Sequence, residues 1–197
     1  MKKNTLYTFL LPVISILLIA AILTSCTKEA NEQNIVYKSF NRTVTSTAGT
    51  FVVDSLDINS DNYVDFAFGL YKSSAADSAV IAVIGRVQNA SLVDSTQNFG
   101  SLLLSKPLSK NEVPVALVPT KREWYRGAFC ASKVGTTTLG IAGAGDKFIP
   151  LAVKNNETGK YHYGWIRINV SSDYVTLKII DGAYNFLPEI PVKMGAK

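Results

Sequence analysis

The chain has 197 residues, of which 47% are hydrophobic and 18% charged, with a formal net charge of +5 and no basic run, so nucleic acid is not an expected partner. Its two cysteines, Cys26 and Cys130, provide no disulfide framework. Its one histidine, His162, excludes a zinc site with several imidazoles and routes any Ser-His-Asp or Cys-His mechanism through a single residue.

The N-terminus carries Lys2 and Lys3, an apolar stretch from about Leu6 to Ala21, and the small pair Thr24-Ser25 before Cys26. This is the pattern of a secretory signal peptide, predicted over residues 1–25. Leu23-Thr24-Ser25-Cys26 resembles the bacterial lipobox, which implies that Cys26 becomes the lipidated N-terminus and that the membrane is a partner through acyl chains. The competing reading is an uncleaved anchor over Thr5–Ser25, just long enough to span a bilayer; Pro12 and the small pair before the cysteine suit processing better. Thr27 is not the aspartate associated with inner-membrane retention, so an outer-membrane lipoprotein is expected, facing the periplasm or the surface. Cleavage would leave roughly 170 residues, enough for one well-buried domain, and would lower the charge by the two lysines. With Cys26 thioether-linked, Cys130 is expected to be a buried, inert thiol.

Residues 26–34 (Cys26 then TKEANEQN) read as a flexible tether. From Ile35 to residue 197, short apolar runs alternate with Gly, Asn, Asp and Ser clusters, which predicts one all-β domain, a jelly-roll-like antiparallel β-sandwich, expected as a monomer. The candidate strands are 35–40, 50–55, 63–70, 79–87, 101–104, 113–118, 124–130, 137–142, 147–153, 161–170 and 174–180. No window of helical period is long enough to predict a helix.

Between the second and third candidates, Asp57, Asn59, Asp61 and Asp65 place oxygen side chains at positions 1, 3, 5 and 9 of a loop, with the carbonyl of Tyr63 at position 7. Calcium takes six to eight oxygens at about 2.3–2.6 Å, and a tight loop with this spacing can supply most of them. Asn62 occupies the turn position that asks for positive φ. The pattern resembles EF-hand calcium loops and the D-x-N-x-D-x-x-x-D loops of extracellular β-repeat proteins, but position 12 is Phe68 and a strand follows. Calcium is therefore the expected cofactor, with weak affinity. The alternative is an Asx-rich turn whose side chains cap their own backbone.

Gly140–Gly145 is glycine-rich but precedes a strand, so it predicts a flexible connection rather than a phosphate cradle. In 161–170 the even residues Ile166, Ile168 and Val170 form an apolar face, while Tyr161, Tyr163 and Trp165 form an aromatic stripe on the other. Displayed rings stack on sugars, which makes the stripe a candidate carbohydrate platform; the alternative is that it packs in a second core layer. His162 lies on the side of Ile166 and is expected to be a strand-end histidine with a satisfied hydrogen bond. Ser171-Ser172-Asp173 predicts a hairpin turn into 174–180, where Val175, Leu177 and Ile179 form the apolar set.

Gly159–Ile168, with its His162-Tyr163-Gly164-Trp165-x-Arg167 core, and the Asp181-Gly182-Ala183-Tyr184 segment resemble a group of secreted bacterial β-proteins without an assigned activity. Many of these also carry an upstream Asp/Asn loop ending in Asp-Phe, here Asp57–Phe66. Gly182 departs from that group, where a larger residue is common. The resemblance implies an extracytoplasmic β-fold and no catalytic residues. In the absence of a catalytic constellation, the expected function is a non-enzymatic, lipid-anchored binding or adhesion module with a structural calcium loop and a glycan or protein ligand. A carbohydrate-binding module of a surface glycan system is the alternative, and a hydrolase built on paired carboxylates is a third class.

Overall fold

The computed structural model describes residues 34–75, 77–86, 88–99, 102–114 and 122–197. The predicted signal peptide, Cys26, the predicted tether up to residue 33 and most of the candidate strand 113–118 lie outside the described residues. Among those residues, no helix is long and apolar enough to cross a membrane.

The strands in chain order are β1 (Ile35–Thr45), β2 (Phe51–Leu56), β3 (Phe66–Lys72), β4 (Ser78–Gly85), β5 (Ala90–Phe99) and β6 (Leu102–Ser105). They continue as β7 (Arg122–Tyr125), β8 (Gly127–Val134), β9 (Thr137–Gly140), β10 (Lys147–Lys154), β11 (Tyr161–Val170) and β12 (Thr176–Asn185). All belong to one sheet, ordered β1-β12-β11-β10-β5-β6-β8-β4-β3-β2, with β7 added against β5 and β9 against β8. The described residues thus form an all-β single domain. Its two facing layers are the halves of one continuous sheet, and the ladder is antiparallel except where β6 meets β8 through Leu104 and Phe129. The curl is nearly closed: the end strands β1 and β2 meet through Arg42, which donates to the Ser55 carbonyl (2.7 Å) and pairs with Asp54.

The inner faces follow the two-residue period. Ile149, Leu151, Ile166, Ile168, Leu177 and Ile179 from one half share a fully buried core with Phe66, Phe68, Leu70, Ile81, Val83 and Cys130 from the other. Gly182 belongs to this packing: a Cβ there would stand 2.9 Å from the Trp165 carbonyl oxygen and 3.1 Å from the Phe40 ring. The glycine thus lets Phe40 and Ile58 lie over β12.

Four expectations need correction. β5 was not predicted, because Ala90-Ser91-Leu92-Val93-Asp94 alternates no polarity; these five residues are buried on both faces, as sheet-centre strands are, and β5 joins the two halves by pairing with β10, β6 and β7. The candidate 124–130 is two strands, since β7 pairs with β5 and β8 with β4. In the last hairpin Tyr174 (φ 62) turns into the core at 6% exposure and Val175 is left half-exposed. Gly140–Gly145 is a tethered turn: the amides of Ile141 and Gly143 donate to Cys130 and Val170 carbonyls (both 2.9 Å), and a Cβ on Gly140 (φ +86) would come within 2.1 Å of the Cys130 carbonyl oxygen.

The outer face of β10–β12 carries a second, smaller core of Leu92, Leu108, Trp165, Ala183, Val192 and Met194. The C-terminal segment lies across it, held by Asn111 N–H to the Met194 carbonyl and Met194 N–H to the Glu112 carbonyl (both 2.9 Å).

Candidate functional site

The loop before β3 is closed by its own side chains. The amides of Ser60 and Asn62 donate to the two Asp57 oxygens (2.6 and 2.9 Å), the Asp61 amide to Asn59 Oδ1 (3.0 Å), and the Tyr63 amide to Asp61 Oδ1 (2.8 Å). Ser60 (φ 62) and Asn62 (φ 69) adopt the left-handed conformation this path requires. These are the caps of an Asx-rich turn. Among the described residues, no group of three or more His, Cys, Asp or Glu side chains stands in a metal-holding arrangement.

Asp65 has a different environment from the rest of the loop. It is 4% exposed, and its oxygens accept the Ile58 amide (2.9 Å) and Asn89 Nδ2 (3.1 Å). Burial raises its pKa from 3.8 to about 6; the Ile58 amide opposes this and the charges of Asp61 and Asp57 add to it. Asn89 is itself buried and links three segments: Nδ2 also donates to the Asp65 carbonyl (3.1 Å), and Oδ1 accepts the Lys154 amide (2.8 Å).

The β10–β11 hairpin turns through Asn155, whose side chain accepts the Glu157 and Thr158 amides (both 2.9 Å). A cleft opens on each side of it. The first, of about 430 Å³, lies between the hairpin and the acidic loop, with Asn59, Asp61 and Tyr63 on one wall and His162, Tyr184 and Phe186 on the other. His162 Nδ1 lies 2.9 Å from the Asn185 carbonyl, a hydrogen bond that gives it the satisfied partner expected at a strand end. The second cleft, of about 290 Å³, is lined by Tyr161, Tyr163, Trp124, Gln88 and Arg126.

The predicted aromatic stripe divides between these surroundings. Trp165 is fully buried, set edge to face against Phe148 (5.2 Å, 83°) and close to Tyr37 (6.4 Å, 45°), so it cannot offer a stacking face. The alternation placed it outward correctly, but that outward face is covered by the C-terminal segment. Tyr161 and Tyr163 stay half-exposed, and Trp124 of β7 stacks on Tyr163 (5.3 Å, 27°). Burial, then the neighbouring Glu189 carboxylate, raises the Tyr163 hydroxyl's pKa; Glu189 also accepts the Tyr161 amide (2.7 Å). Lys154 lies 6.0 Å from the Tyr161 ring and bonds to Gln88.

Asp181 and Arg167, both within the segments that carried the resemblance, form a structural pair. Arg167 donates twice to Asp181 (2.8 and 2.7 Å) and Tyr37 adds its hydroxyl (2.8 Å), with the carboxylate 2% exposed. Cys130 is buried, which pushes its thiol up to about 12. Trp124, Asn89, Glu157 and Phe186 were not singled out in the sequence, and only the aromatic character of Trp124 and Phe186 could have marked them. No family model matches the chain, no curated protein is similar to it, and no solved structure matches it.

Proposed function

We propose that this protein is a lipid-anchored, non-enzymatic binding module of the bacterial cell envelope, presenting the Trp124–Tyr163 cleft to a glycan. The stacked, half-exposed pair carries the ligand half of this reading. Its rings, with Tyr161 beside them, offer apolar faces to sugar C–H groups, and Gln88 and Arg126 offer polar groups at the same cleft. The Leu23–Cys26 motif supports the anchor.

Two measurements test it. Mass spectrometry of the mature N-terminus should find acylated Cys26; an intact Met1 would remove the anchor. On a glycan array the mature protein in non-ionic detergent should retain a glycan set that Trp124→Ala loses. No retained glycan, or a set unchanged by Trp124→Ala, would remove the platform.

A second reading, calcium at Asp57–Asp65, is favoured by the alternating oxygens and the left-handed Asn62. A cation there would share oxygens that now cap amides, so the affinity should be weak, in the roughly 0.1–1 mM range of extracellular modules. Calorimetry with Asp61→Ala as control tests it, and absence of calcium heat at millimolar ligand retires it.

A further inference from the structure

The larger cleft has a chemistry that the glycan reading leaves unused. Four rings border it. Tyr63 and Phe186 stand at its rim, 71% and 65% exposed on separate elements, while His162 and Tyr184 are half-buried and set edge to face (6.4 Å, 86°). Among the described residues, the charged side chains lining it are the carboxylates of Asp61 and Glu157, and no lysine or arginine lines it. The Tyr184 hydroxyl has a raised pKa, first through burial and then through Asp65, Asp57 and Asp61, so the negative field of the loop reaches the opposite wall. On a chain of net charge +5 this is a local reversal of sign.

Rings and carboxylates facing one space select an organic cation. A hard metal ion is held by a close shell of oxygens rather than by ring faces, and that shell fills far less than about 430 Å³. A neutral sugar would use the rings but leave the negative field unanswered. An ammonium on an alkyl stem uses both, with its charge toward the carboxylates and ring faces and its methylenes against the exposed tyrosine and phenylalanine.

We propose that the cleft between the Asp57–Asp65 loop and the β10–β11 hairpin binds an alkylammonium group, carried by a free polyamine or by a lysine side chain of a peptide.

His162 gives the test a unique reporter, because the only imidazole in the chain lines this cleft. The mature protein, labelled at histidine and held in non-ionic detergent, is titrated with spermidine and separately with tetralysine at fixed ionic strength. Saturable movement of the His162 signals is expected. Tyr63→Ala and Glu157→Gln should each weaken it on the order of three- to tenfold, while Tyr161→Ala, in the other cleft, leaves it unchanged. Both variants alter exposed side chains, and an unchanged far-UV spectrum verifies the fold. Movement with spermidine alone assigns a small amine; movement with tetralysine assigns a peptide lysine. No movement with either probe, the same saturable movement with calcium alone, or movement insensitive to both variants would overturn the proposal.

Discussion

The two clefts share a hairpin and divide its residues by strand alternation. Tyr161 and Tyr163 face the cleft beside Trp124, and His162, between them in sequence, faces the acidic loop. Both present aromatic rings, yet Arg126 lines one, with Lys154 set over the Tyr161 ring, while Asp61 and Glu157 line the other. The difference teaches that each cleft takes its charge from the hairpin and from the element beside it together, Lys154 with Arg126 on one side and Glu157 with Asp61 on the other. Asn89 connects the two, holding Asp65 behind one cleft and the Lys154 amide beside the other.

The largest expected effect breaks the comparison on one side. Trp165→Ala empties the centre of the outer core and should cost about 3–5 kcal/mol, read as a lowered urea midpoint. Because Trp124 packs against that core, glycan retention should weaken while the His162 response survives in the fraction that stays folded.

Acidity acts on the other side. Asp65 has a folded-state pKa of about 6 against an ordinary 3.8, so between those values the folded chain holds a proton that the unfolded chain has released. Its contribution to stability is complete below pH 3.8 and is lost as the pH rises through about 6, by up to about 3 kcal/mol. Asp77 and Asp173 have lowered values, so their contributions run the opposite way, below the ordinary range. Denaturation curves between pH 4 and pH 7 should slope downward in the wild type and flatten in Asp65→Asn; equal slopes would contradict the assignment.

Asn89→Ala tests the connection itself. Losing its bonds to Asp65 and Lys154 should cost about 2 kcal/mol and weaken both ligand responses together, where Tyr161→Ala or Glu157→Gln weakens one. An effect confined to one cleft would mean they are independent. The smallest effect is a rate. Buried Cys130 should resist thiol reagents in the native protein, and ligand in either cleft should slow its labelling further by favouring the folded state.

Strand alternation and turn residues were enough to read most of the sheet from the sequence, including the β11–β12 hairpin, and the left-handed Asn62 followed from loop chemistry. Three features were not legible, each because it depends on what a strand packs against. Ser91 and Asp94 lie buried in β5 because neighbours cover both its faces, a condition no local pattern records. Trp165 and Tyr163 are equivalent by alternation, yet a C-terminal segment without strand period covers only the first. The larger cleft draws Asp61, the hairpin pair Glu157 and His162, and Phe186 from three separate segments, and only the fold makes them neighbours.

The Arg42 seam has a mechanical consequence. Among the described residues β1 has its ladder with β12 alone, and across the seam it meets β2 through a side chain rather than through rows of amides. Tension entering from upstream of Ile35 therefore loads an edge strand that can peel from β12 pair by pair. The hairpin bearing both clefts lies further in, with β12 shielding it on that side, so under such a load the two clefts should outlast β1.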